Sequence, residues 1–139
     1  MWWLMRELRD WWTGIRDPES RAFDQEYGVE TVWFDLFNYE PSLPSVVRAS
    51  LDALDIPFSD YTFVDLGSGK GRALFLAAER PFARVVGIEH RSALHRQAHH
   101  NLARLEGRVN APIELILGDA ATVPLPDGCL LYTSDAADE

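Results

Sequence analysis

The segment spanning residues 63–72 constrains the fold of this chain more than any other. It reads FVDLGSGKGR, an apolar run that ends in Asp65 and leads into glycines at alternate positions, Gly67, Gly69 and Gly71. A helical pattern begins directly afterwards, so the segment predicts a buried strand, a tight turn and a helix. Glycines in such a turn let backbone N–H groups approach a ligand that side chains would exclude.

The spacing of the glycines separates three kinds of nucleotide site. A phosphate-binding P-loop needs glycine where Val64 stands and Ser or Thr where Gly71 stands, so this pattern fails twice. A dinucleotide fingerprint needs its third glycine at the position of Arg72, so it fails as well. What remains is Asp-x-Gly-x-Gly-x-Gly, or else a glycine-rich turn that binds nothing.

That pattern resembles motif I of the class I S-adenosylmethionine-dependent methyltransferases. The resemblance is specific over residues 61–120. Upstream, residues 23–31 (FDQEYGVET) and 39–41 (YEP) are similar to the lead-in of a bacterial methyltransferase group of unassigned substrate, and residues 62–72 match its central block. A looser likeness to non-SET protein-lysine methyltransferases leaves the methyl acceptor open, a protein or a small-molecule amine.

Two further acids stand at the ends of predicted strands. Glu89 ends the short apolar run Arg84–Glu89, and Asp119 follows Ile113–Leu117. A carboxylate at the end of the second strand can accept hydrogen bonds from both ribose hydroxyls of a nucleoside. The alternatives are a solvated acid for Glu89 and a turn-forming Gly-Asp pair for Asp119.

The resemblance implies S-adenosyl-L-methionine as the cofactor and a role for each matching residue. Asp65 would orient the methionine end, Glu89 the ribose and Asp119 the adenine amine, with a backbone N–H beside it. The residues that we therefore expect to bind the cofactor are Asp65, Gly67, Ser68, Gly69, Gly71, Glu89, His90, Asp119 and Ala120. His90 would pack on the adenine ring, although an exposed loop histidine fits its position as well. The charge of Lys70 is unfavourable beside a sulfonium, so we expect this side chain to point to solvent or to the cofactor carboxylate.

Strands and helices alternate along the second half of the chain. This order predicts an α/β fold, a Rossmann-like doubly wound parallel sheet with right-handed crossovers, incomplete, whose ligands bind at the carboxyl ends of the strands. The expected strands are 62–65, 84–89 and 113–117, and the expected helices are 45–54, 70–79 and 92–106, the last with Ser92 as N-cap.

Residues 1–60 are expected to form an N-terminal helical extension. Its first 13 residues contain four tryptophans and read as an amphipathic helix that packs on the domain or on a partner. Contact with a membrane surface is the alternative, which the balancing acids weaken. No apolar run approaches the length of a transmembrane helix, and we expect a cytoplasmic protein.

Composition excludes other classes of function. The net charge of −9 gives no general attraction to nucleic acid. The single cysteine excludes an internal disulfide and a cysteine-based metal site. His95 and His99 lie four residues apart, but no acid or cysteine completes a ligand set on that helix, so we expect a polar helix face and no metal.

The last eleven residues, 129–139, read CLLYTSDAADE and resemble a translated sequencing-library adapter. We therefore expect the native product to diverge after Gly128, with residues 61–128 forming the cofactor-binding half of a domain and the catalytic residues lying beyond it. A genuine fourth strand is the alternative. In either case Cys129–Thr133 is β-prone and should pair with residues 62–65, and residues 135–139 should hang free. Other functions left open are a non-catalytic nucleoside-binding module and a nucleotide-dependent oxidoreductase.

Overall fold

The fold is an α/β sandwich built on one parallel sheet. The computed structural model describes residues 18–32, 41–105 and 107–133. The strands are β1 (Thr62–Leu66), β2 (Arg84–Glu89), β3 (Ile113–Leu117) and β4 (Cys129–Thr133). They form a sheet in the order β3-β2-β1-β4, and every neighbouring pair is parallel. The Rossmann-like parallel sheet predicted from the sequence is therefore confirmed.

Within the residues that the structure describes, four helices accompany the strands. They are α1 (Pro18–Tyr27), α2 (Pro44–Asp52), α3 (Arg72–Ala77) and α4 (Ser92–Arg104), and a short 3-10 turn (Phe58–Asp60) precedes β1. The expected amphipathic helix of residues 1–13 and the free tail of residues 135–139 lie outside the described residues.

The starts of α3 and α4 differ from the expectation in ways that their residues explain. The predicted helix at residue 70 begins at Arg72, because Gly71 adopts φ 98°, a left-handed conformation that ends the turn first. Ser92 is the first helical residue of α4, and the N-cap position belongs to Arg91, which makes no side-chain cap. The prediction of Ser92 as N-cap is therefore wrong.

The apolar core lies mainly between the helices and one face of the sheet. The buried residues of this cluster include Phe63, Val85, Leu74, Phe75, Leu76, Leu51 and Leu105. A smaller cluster on the other face contains Val64, Val86 and Ile88. Alternate strand residues enter opposite clusters, as the two-residue period of a strand requires.

The strand Cys129–Thr133 pairs in parallel with β1, in register from Thr62 opposite Cys129 to Leu66 opposite Thr133. The rings of Phe63 and Tyr132 stack across this pair with their centroids 5.8 Å apart. The predicted pairing is confirmed, and it covers the edge of β1 that β2 leaves open.

Candidate cofactor site

The parallel register brings the three predicted acids to one edge of the sheet. Asp65 lies opposite Gly87, and Glu89 lies opposite Leu117. The N–H of Gly118 donates to the carbonyl oxygen of Glu89 at 3.0 Å and so joins the ends of β2 and β3. Asp119 follows directly, so all three acids stand at the carboxyl edge, where open α/β sheets bind ligands.

Glu89 is the centre of this edge. Glu89 is 4% exposed, and its Oε2 accepts a hydrogen bond of 2.8 Å from the N–H of Gly69. Its Oε1 accepts another of 2.8 Å from the N–H of Arg91. A carboxylate accepts about four hydrogen bonds, so Glu89 retains acceptor capacity for a ligand's hydroxyl groups.

Asp65 is a buried acid of a different kind. It is 4% exposed, and within the described part of the chain its carboxyl group has no hydrogen-bond donor. Burial raises the pKa of Asp65 well above its usual range, and the nearby charge of Glu89 raises this pKa further. A carboxyl group in such a place is stabilised by a ligand that brings positive charge and N–H donors.

The N–H groups of the glycine loop bind the protein itself. Those of Gly67 and Ser68 both donate to the carbonyl oxygen of Ile88, at 2.8 and 3.0 Å. The next one, of Gly69, is the donor to Glu89. This corrects the expectation that these N–H groups face a ligand. What the loop can offer a ligand is its Cα surface and its carbonyl oxygens.

The outer glycines of the loop have different reasons to be glycine. Gly67 is exposed with φ 79°, and a Cβ there would meet nothing within 4 Å. A Cβ on Gly71 would lie 2.6 Å from Cζ of Phe75. Gly67 therefore borders open space that a ligand can fill, whereas Gly71 is required for packing at the start of α3.

The side chain of Ser68 is buried against the sheet. Ser68 is 7% exposed. A Cβ on Gly87 would lie 2.7 Å from Oγ of Ser68 and 2.4 Å from Cδ1 of Leu74. The side chain of Ser68 therefore packs on β2. The requirement for glycine at position 87 was not predicted, although a glycine inside a predicted strand signals close approach by another segment.

The upstream motif of residues 23–31 is pinned against the glycine loop. The Asp24 carboxylate accepts hydrogen bonds from the N–H of Thr31 at 2.7 Å, the N–H of Val32 at 3.0 Å and the Thr31 hydroxyl. Arg72, which is 2% exposed, donates to Oγ1 of Thr31 at 2.8 Å and to Oγ of Ser20 at 2.6 Å. Arg72 therefore joins α1, the following segment and the start of α3.

Lys70 does not point to solvent. It is 6% exposed, and its Nζ lies 2.8 and 3.1 Å from the two carboxylate oxygens of Glu30. The side-chain amide of Asn101, on α4, donates to the carbonyl oxygens of Glu30 at 2.8 Å and of Lys70 at 3.1 Å. The expected orientation to solvent is wrong, because Glu30, 40 positions upstream, supplies a partner for the lysine. Its approach to the cofactor carboxylate stays a prediction.

The remaining predicted residues lie at the same edge. The side chain of His90 is 70% exposed, and its Nδ1 lies 3.4 Å from Oε1 of Glu89. Oδ1 of Asp119 accepts a hydrogen bond of 2.9 Å from the N–H of Ala121, which is the turn geometry considered as its alternative role. Ala120 is half-buried against the Val64 cluster. Their adenine contacts stay predictions.

His95 and His99 lie one turn apart on α4. The imidazole Nε2 atoms of His95 and His99 lie 3.1 Å apart, and the described residues contain no group of three or more metal-ligating side chains. Within the same ranges, no helix has the length and apolar composition needed to cross a bilayer.

Comparison with known proteins identifies the domain. Residues 64–130 match the family described as "Methyltransferase domain". No curated protein sequence matches significantly. Among solved structures, an RNA methyltransferase from Salinibacter ruber in complex with S-adenosyl-L-homocysteine is 30% identical, with a TM-score of 0.54 over 70% of this chain and 63% of that one.

Two more solved structures share the fold. A methyltransferase from Thiobacillus denitrificans, also in complex with S-adenosyl-L-homocysteine, is 23% identical, with a TM-score of 0.54 over 73% of this chain and 40% of that chain. A dimethyladenosine transferase from Plasmodium falciparum is 21% identical, with a TM-score of 0.53 over 68% of this chain and 33% of that chain.

The family match, the fold and the acids at the strand ends point to the same class of protein. Residues 64–130 match a methyltransferase domain in sequence, and they have the fold of the class I S-adenosylmethionine-dependent methyltransferases. The family match sets aside the nucleotide-dependent oxidoreductase considered from the sequence. The chain spans 63% of the length of the Salinibacter ruber enzyme and 40% of the Thiobacillus denitrificans one.

Proposed function

We propose that the whole protein transfers a methyl group from S-adenosylmethionine to a nucleophile, and that Asp65 and Glu89 hold the cofactor. The observation that supports this is the pair of buried carboxyl groups at the carboxyl edge of the sheet, each 4% exposed. Asp65 has no hydrogen-bond donor within the described residues, and Glu89 retains acceptor capacity. Such a pair is suited to a cationic ligand that also carries hydroxyl groups.

S-adenosylmethionine has the matching chemistry and supplies an activated methyl group when bound. We propose that Asp65 accepts a hydrogen bond from its ammonium group, directly or through a water, and that Glu89 accepts from its ribose hydroxyls. Gly67 leaves room for the methionine portion. His90, Asp119 and Ala120 would then hold the adenine. The contribution of these residues to catalysis is alignment, with a negative potential that favours binding of the cationic cofactor.

For the methyl acceptor we propose an amine of a protein or a small molecule. The net charge of −9 does not attract nucleic acid in general, and the sequence contains no run of basic residues. Because the 30% identical structure is named as an RNA methyltransferase, RNA is the competing acceptor to be tested. We place the protein in the cytoplasm.

The central test is calorimetric titration of the 139-residue chain with S-adenosylmethionine. We expect saturable binding that Asp65→Ala and Glu89→Ala both weaken. Glu114→Ala is the matched control, because Glu114 pairs with Arg84 at 3.3 Å near the amino ends of β2 and β3, opposite the carboxyl edge that forms the proposed site. Equal affinities in all four proteins would contradict the proposed site, and no binding by the parent would contradict the proposed function.

We further propose that residues 129–139 are not native and that the groups touching the acceptor lie in a different continuation after Gly128. Resequencing the gene beyond the codon for Gly128 tests this. With labelled S-adenosylmethionine and protein, amine or RNA acceptors, the chain itself should show no transfer above a control without acceptor. Transfer to any of them would contradict this division of the chain, whereas a native continuation without an acceptor site would favour a nucleoside-binding module.

A further inference from the structure

We propose that the Glu30–Lys70 pair determines how well this site distinguishes S-adenosylmethionine from its product, by cancelling the lysine charge inside the glycine loop. This inference rests on the proposed function. It assigns Glu30 as a positioning residue that acts through Lys70. Neither residue was expected to have this role from the sequence motif.

The position of Lys70 makes its charge relevant. Lys70 directly follows Gly69, whose N–H donates to Glu89 at 2.8 Å, so the lysine belongs to the loop that borders the proposed cofactor site. Lys70 is 6% exposed, which means that water screens its charge poorly. An uncancelled cation at this point would oppose the two buried acids, Asp65 and Glu89, and repel a sulfonium.

Glu30 is placed to cancel that charge. Both of its carboxylate oxygens contact Nζ of Lys70, at 2.8 and 3.1 Å. Its backbone is held on both sides by Asn101, whose Oδ1 accepts from the N–H of Glu30 at 3.0 Å and whose Nδ2 donates to the carbonyl oxygen of Glu30 at 2.8 Å. Arg104 extends the attachment by donating to the carbonyl oxygen of Gly28 at 3.0 Å. The segment that carries Glu30 is thus fastened to α4, and the carboxylate has a fixed place.

The consequence concerns the ratio of two affinities. S-adenosylmethionine and S-adenosylhomocysteine differ by one methyl group and one positive charge, so damage to the fold weakens both about equally. A change of charge near the site affects the sulfonium ligand selectively. The ratio of the two dissociation constants therefore reports electrostatics and cancels a merely structural effect.

The experiment measures this ratio by calorimetry at low ionic strength in four proteins: the parent, Glu30→Gln, Lys70→Met and the double variant. Glu30→Gln should shift the ratio against S-adenosylmethionine by about twofold to tenfold, because it removes a negative charge that faces the lysine ammonium. Lys70→Met should shift it toward S-adenosylmethionine by a similar factor. The double variant should return close to the parent, and salt should reduce both shifts.

Glu114→Gln is the matched control. It also removes a carboxylate from an ion pair, the one with Arg84, but near the amino ends of β2 and β3. Its ratio should equal that of the parent. If neither Glu30→Gln nor Lys70→Met changes the ratio of the parent, or if both shift it in the same direction, the inference is overturned. If Glu30→Gln fails to fold, the shift in Lys70→Met decides alone, because the Glu30 side chain is 38% exposed and tolerates the loss of the lysine. A parent that binds neither ligand would contradict the proposed function, and the inference with it.

Discussion

The backbone N–H of Gly69 donates a hydrogen bond of 2.8 Å to Oε2 of Glu89. One carboxylate at the end of β2 therefore fixes the loop that follows β1, and it stands where a ligand's hydroxyl groups are expected. Loop shape and ligand binding depend on the same side chain. A substitution of Glu89 should consequently affect both.

Glu89→Ala should weaken binding of S-adenosylmethionine by about 1–3 kcal/mol, the cost of losing hydrogen bonds to an ionised acceptor. It should also loosen the loop, because the N–H groups of Gly69 and Arg91 lose their acceptor. Titration calorimetry measures the first effect, and amide hydrogen exchange at Gly69 measures the second. Unchanged affinity in the variant would remove Glu89 from the site.

Gly67→Ala should reduce cofactor affinity by at least about tenfold, because its Cβ would enter the open space beside the loop. Gly107→Ala is the matched control. Gly107 has φ 78° against 79° for Gly67, and a Cβ there also meets nothing within 4 Å. Both variants carry the same backbone strain, so equal losses of stability with equal cofactor affinity would show that the space beside Gly67 is not a binding site.

Asp65→Asn should stabilise the cofactor-free chain by about 1–3 kcal/mol at neutral pH while weakening cofactor binding. The raised pKa of Asp65 means that the folded chain holds this proton to higher pH than the unfolded chain does. The free energy of unfolding of the parent should therefore fall as the pH rises above the ordinary carboxyl range. Asp65→Asn has no titrating group at this position, so its free energy of unfolding lacks this dependence on pH.

Urea denaturation of the parent and Asp65→Asn across the range from acidic to neutral pH checks the sign. The stability difference between the two proteins should grow as the pH rises from the ordinary carboxyl range to the raised pKa of Asp65, and it should level off above that pKa. Asp55→Asn, at an exposed position, is the control and should follow the parent. A difference that stays constant with pH would show that Asp65 titrates normally in the folded chain.

Arg72→Met should lower the free energy of unfolding by about 3–5 kcal/mol, because it breaks a buried polar network. The loss leaves Oγ1 of Thr31 and Oγ of Ser20 without the donor that they have at 2.8 and 2.6 Å. Chemical denaturation measures the loss. Arg84→Met, at a side chain that is 45% exposed, should change stability little, and a similar small change for Arg72 would contradict the network.

A chain that ends at Gly128 should aggregate, because removal of β4 leaves the outer edge of β1 without a partner. A chain that ends at Thr133 keeps the strand and should elute in size-exclusion chromatography as the 139-residue chain does. If the shorter chain is equally monomeric, the pairing of β1 with β4 contributes nothing to solubility.

The strands were predictable because their signals are local. The runs Arg84–Glu89 and Ile113–Leu117 form strands with the boundaries that their apolar pattern predicts. The places of Asp65 and Glu89 at one edge follow from the parallel topology, which the alternation of strands and helices already implies. Sequence alone thus determined the sheet, the glycine turn and the acids beside it.

Tertiary structure alone decided how the polar groups pair. The N–H groups of Gly67 and Ser68 bind the carbonyl oxygen of Ile88 in a neighbouring strand, and the Lys70 ammonium meets Glu30 from a segment 40 residues upstream. A local pattern carries no information about such partners, because residues far apart along the chain are brought together only by packing. Burial then makes the pairing obligatory, since a polar group removed from water must find a partner within the fold.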